Sequence, residues 1–138
     1  MGNNNRSNVL LVEILIAVLF FMLSATVLVQ VFAAAHNTTV RCGVETRALA
    51  EAQNVADALY AADDVAAALA EENFTMAHGA WTRNDGDYTL YVEGESVATD
   101  AGELWQGTVR AFDNAAAALD ADMELFALPC ARYEGVRS

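Results

Sequence analysis

The sequence predicts an α+β protein: a long N-terminal helix, its first half embedded in a membrane, packed on a small antiparallel sheet of three to four strands. Three observations predict it. An almost unbroken apolar run fills positions 9–35, a stripe of small residues at helical spacing follows, and the second half of the chain changes to a period of two.

The apolar run reads VLLVEILIAVLFFMLSATVLVQVFAAA. As a helix it would span about 40 Å, more than the ~30 Å hydrocarbon core of a bilayer. Its polar exceptions are Glu13, Ser24, Thr26 and Gln30. Ser and Thr hydroxyls can bond back to the helix backbone and cost little in lipid. A carboxylate is costly there unless hydrated, protonated or paired, so Glu13 either sits one turn inside the interface or meets a cation at the same depth on a neighbouring chain. A secretory signal is the competing reading, with cleavage in Ala33-Ala34-Ala35-His36. Signal peptides, however, have about 7–15 apolar residues behind a basic lead. This run is longer and carries an acid near its start. Arg6 precedes it, while Arg41 and Arg47 follow, so charge alone orients it weakly. The bulk and acidity of the C-terminal part favour a cytoplasmic N-terminus and an extracytoplasmic remainder.

A short polar leader, an acid at the fifth position of an apolar run and a long hydrophobic helix together resemble the N-terminal segment of type IV pilins and pseudopilins. The resemblance covers about 30 residues, with Glu13 in the place of the acid. It implies that a prepilin peptidase cuts between Asn8 and Val9, that the new N-terminus is methylated, and that Glu13 pairs with the amine of an adjacent subunit. Asn8 stands where the family usually has Gly, and Val9 where it usually has an aromatic. Tad-type pilin-like proteins also carry an acid in this run, often with a proline further along that this helix lacks. The implied layout is a leader over 1–8, a transmembrane helix over 9–35 and one extracytoplasmic domain over 36–138.

Beyond His36 the helix is expected to continue to about residue 62. Ala48, Ala52, Val55, Leu59, Ala62, Ala66 and Leu69 recur at spacings of four and three, which marks the face that lies on a sheet. Gly43 is a soft point in it. Asp63-Asp64 ends this helix and caps a short one over about 64–71, because Asp is favoured at N-caps.

Strands are expected at about 80–83, 87–93, 104–112 and 123–133. Tyr88, Leu90 and Val92 alternate with polar neighbours, and Asn84-Asp85-Gly86 is a strong hairpin turn. Pro129 cannot donate to a ladder, so the last strand is at an edge or bulged. Residues 114–122 form a loop or one helical turn.

The chain has 138 residues, with 19 acidic against 7 basic ones, all arginine, and a net charge of −12. Only Arg6 and Glu13 precede His36, so that excess lies wholly in the predicted domain. Such a surface repels phosphate backbones, and direct nucleic-acid binding is not expected. Asp85 and Asp87 could be read as calcium ligands, but the rest of an EF-hand ladder is missing and turn chemistry accounts for them. Neither His36 nor His78 has a metal-ligand spacing, and no nucleophile or phosphate-loop motif occurs, so no catalytic residue, metal or cofactor is assigned. Cys42 and Cys130 could bridge helix to sheet in an oxidising exterior, or remain two buried free thiols. The functional expectation is a minor pilin or pseudopilin whose partners are the bilayer, other pilin-like subunits and the peptidase. The alternative is a non-polymerising single-pass protein with an extracytoplasmic accessory or sensor domain.

Overall fold

A computed structural model describes residues 2–118 and 123–135. The chain divides into two compact units, Met1–Arg41 and Cys42–Ser138. One helix, α1 (Gly2–Ala61), contributes residues to both.

In the first unit α1 is the whole described structure. It is long and apolar enough to cross a membrane, and its most apolar stretch is nowhere buried. Every threonine of α1 donates its hydroxyl to the carbonyl four residues back: Thr26 to Met22, Thr38 to Ala34 and Thr39 to Ala35 at 2.9 Å, and Thr46 to Cys42 at 2.8 Å. Those hydroxyls therefore need no partner outside the helix.

In the second unit the rest of α1 packs against a five-stranded antiparallel sheet. The strands are β1 (Thr75–Ala77), β2 (Ala80–Asn84), β3 (Tyr88–Thr99), β4 (Gly102–Asp113) and β5 (Glu124–Gly135), ordered β1-β2-β3-β4-β5 as a meander. Val44, Ala48, Ala52, Val55 and Leu59 form the helix side of the core. Tyr88, Leu90, Val92, Val109 and Ala111 form the sheet side, with Leu69 and Phe74 closing one end. Ala48 and Ala52 are wholly buried. Side chains this small let a helix lie close to a sheet.

The helical stripe is interrupted after Leu59. α1 stops at Ala61, Asp64 accepts the Ala66 amide at 2.9 Å, and α2 (Val65–Glu71) begins there with a new phase. Ala62 is therefore half-buried and Ala66 exposed, although both fit the spacing, while Leu69 rejoins the core.

The sheet has five strands, where three or four were expected. The additional strand β1 pairs with β2 through Ala77↔Ala80, and the turn between them is His78-Gly79. Both turn residues have positive φ, 52° and 87°, as a tight two-residue hairpin of the mirror-image type requires. The second expected strand extends to Thr99 and the third begins at Gly102, so the segment between them is a long hairpin closed by Asp100-Ala101. At its middle Gly94 faces Gly107, and the Trp105 ring covers both; a methyl group on either glycine would overlap that ring. β5 is an edge strand and carries Pro129 opposite Thr108, a position where the missing amide is tolerated. Asp113 caps the single turn α3 (Asn114–Ala117). The remainder of the expected 114–122 linker, from residue 119, lies outside the described residues.

Candidate functional site

Glu13 lies on α1, where i±3 and i±4 positions share its face; these are Leu10, Ile16, Val9 and Ala17. It is exposed and has no hydrogen-bond or ion-pair partner among the described residues. From Val9 to Phe32 it is the only charged residue. The large apolar side chains around the helix are 47% (Ile16) to 75% (Phe21) exposed. A carboxylate in that setting has no internal means of satisfaction, so its partner must be solvent, a headgroup or another chain. Asn8 and Val9 are consecutive α1 residues, both exposed.

The two cysteines stand as free thiols in the structure, and they are not both buried. Cys42 is exposed on α1, and Cys130 is half-buried on β5 against the core. Burial raises the Cys130 thiol pKa above its ordinary value.

The turn acids have arginine partners. Asp87 accepts from Arg47 at 2.7 Å, an exposed pair. Asp85 accepts from Arg83 Nε at 2.9 Å, and Asn84 accepts the Gly86 amide at 2.8 Å. Arg83 is the most heavily used side chain of the unit. It also donates to Glu51 on α1 at 2.9 Å and to the Glu72 carbonyl at 3.2 Å, and it lies 5.0 Å over the Phe74 ring. Burial opposes its charge, but the hydrogen bonds and charges of Asp85 and Glu51 prevail and raise its pKa. Arg83 thus ties α1, the end of α2 and the β2–β3 turn together. Sequence reading missed it because its partners are far apart in the chain and form no local pattern.

No family model, curated protein or solved structure matches the chain. Among the described residues no three His, Cys, Asp or Glu side chains gather as a metal cluster. His78 is a turn residue of β1–β2, and the aromatic residues Trp81 and Trp105 pack against the core. Within the second unit Arg47 and Arg83 pair with Asp87, Asp85 and Glu51. The first unit instead presents a chemical problem that its own residues do not solve: apolar surface on every side and one unpartnered acid.

Proposed function

We propose that the protein is a membrane-anchored structural subunit, a minor pilin or pseudopilin of a type IV pilus, type II secretion or DNA-uptake filament. The observation that carries this reading is Glu13, unpartnered and alone among exposed apolar side chains on α1. A helix apolar all round is stable in lipid or among other such helices, and not in water. In the proposed cycle the bilayer holds the helix first, with the N-terminus cytoplasmic and the acidic unit outside. Prepilin peptidase then releases Val9 as the new N-terminus. Packing against the helices of neighbouring subunits draws the chain from lipid, and Glu13 meets a neighbour's amine and sets register.

Asn8, standing where that family usually has Gly, favours a second reading: a single-pass protein that keeps its leader and never polymerises, its outer domain an accessory or sensor module. Mass spectrometry of the N-terminus separates the two. A chain starting at methylated Val9 is the expected result; an intact leader supports the tether, and a start near His36 means secretion and defeats both. The mechanistic arm is Glu13→Ala. Co-purification with partner subunits is expected to fall about tenfold or more, as for loss of a buried charged partner. Unchanged assembly would remove Glu13 from the register role.

A further inference from the structure

The sheet face opposite the helix carries a cleft of about 380 Å³ that the pilin reading leaves without a role. Its wall is an aromatic pair, Tyr91 on β3 and Phe112 on β4, with ring centres 5.1 Å apart and planes at 82°. Met123 adds a flexible apolar side chain to the lining. The volume lies in the range of small-molecule sites, roughly 300–1,000 Å³.

Two polar side chains of the cleft, Thr89 and Asn114, are spent on internal bonds. Thr89 donates to Asn114 Oδ1 at 2.8 Å, and Asn114 Nδ2 donates to the Gly86 carbonyl at 2.8 Å, so the amide is fixed by internal bonds. Arg110 differs. Arg47, Arg83 and Arg132 of the second unit all engage oxygen atoms, yet Arg110, which is exposed, engages none among the described residues. Its direct cross-strand neighbours are Tyr91 and Ala127, neither of which is an acid. Glu93 also lines the cleft but forms no ion pair with Arg110. In a domain with so large an acidic excess, a guanidinium left free beside two aromatic rings offers a planar donor fork for a carboxylate.

We propose that this cleft binds an apolar monocarboxylate, with its carboxylate on Arg110 and its body against Tyr91 and Phe112. Glu93 and the domain's charge repel polyanions, which selects against phosphates and nucleic acids and for a single negative charge. A small free acid and the free C-terminus of a peptide share this chemistry.

The test uses the full-length, isotope-labelled chain in detergent micelles, titrated with N-acetylphenylalanine, N-acetyl-Ala-Ala-Phe and the carboxamide of each. Amide shifts are expected at Thr89, Tyr91, Arg110 and Phe112, with the carboxamides about tenfold weaker or more, the size of a lost charged hydrogen bond. Tighter binding of the tripeptide identifies a peptide C-terminus as the source; equal binding identifies a small acid. Arg110→Gln should weaken the acids about tenfold and leave the carboxamides unchanged, while Arg110→Lys should keep part of the affinity. Acid and carboxamide binding alike, Arg110→Gln binding as the parent does, or shifts confined to residues 9–32 from partition into the micelle would each overturn the site. None of these outcomes depends on filament assembly.

Discussion

The two stretches of α1, one in each unit, share a secondary structure and little else. Up to Arg41 the helix carries Leu, Ile, Val, Phe and Met on all sides, and nothing in its own unit covers them. From Cys42 onward the buried apolar residues narrow to one face, Val44, Ala48, Ala52, Val55 and Leu59, while Leu49 and Tyr60 stay exposed. Helix propensity does not distinguish these stretches, because both are rich in good helix formers. The environment each is built for does distinguish them. A side chain that its own unit leaves uncovered needs no particular fit, whereas one against a sheet must fit.

A pair of leucines on this one helix offers the sharpest way to break the comparison. Leu59 is 2% exposed and Leu19 is 55% exposed. Leu59→Ala leaves a cavity and should lower the second unit's unfolding free energy by about 2–5 kcal/mol. Leu19→Ala should leave that quantity unchanged within about 0.5 kcal/mol. Hydrogen exchange of the β3 and β4 amides in the full chain measures both. An equal loss from the two substitutions would mean that the stretches are not independent.

The reverse substitution tests fit and gives a smaller effect. Ala52 is fully buried on the helix face toward the sheet, while Ala33 is exposed in the first unit. Ala52→Leu forces a large side chain into a filled space and should cost about 1–3 kcal/mol by the same measurement. Ala33→Leu should cost the second unit nothing and add apolar surface to the first. If Ala52→Leu were neutral, the small-residue stripe would not be a packing device.

These contrasts follow what could be read from residue order and what could not. The stripe through Leu59, the Asp64 cap and the Asn84-Asp85-Gly86 turn are local, so spacing and turn chemistry revealed them. The stripe failed at Ala66 because a helix end resets the phase, which spacing alone does not register. β1 has three residues and no alternation; its only trace was His78-Gly79, a turn pair that could have been weighed. The upper half of β3 was hidden because Gly94, Glu95 and Ser96 break the apolar alternation, and Trp105 from the next strand supplies the cover. Arg83 was hidden for the same physical reason: Glu51 is 32 residues away in the chain. Glu13 was legible at once, since a lone acid in an apolar run stands out, and it has no partner among the described residues. Arg110 has no local signature in the sequence, because the partners that set Arg47, Arg83 and Arg132 apart from it are distant in the chain.

The smallest expected effect concerns Tyr88, at the boundary between the buried stripe and the charged turn. Tyr88 is buried, and burial, followed by the charges of Asp85 and Glu51, raises its pKa above the ordinary 10.0. A raised folded-state pKa means that the folded chain holds this proton more tightly than the unfolded chain does. Below pH 10 both states are protonated and the preference costs nothing; as pH rises toward the folded value, the unfolded state gains by releasing the proton and stability falls. The second unit should therefore lose stability as pH rises above about 10. Tyr88→Phe should flatten part of that slope. Cys130, raised by burial from 9.0, contributes with the same sign but from a lower pH, so the comparison is made in a Cys130→Ala background. The first unit's described stretch has no tyrosine, and its helicity should show no such slope over this range. A Tyr88→Phe chain with the parent's pH profile would show that Tyr88 is not the source of the alkaline loss.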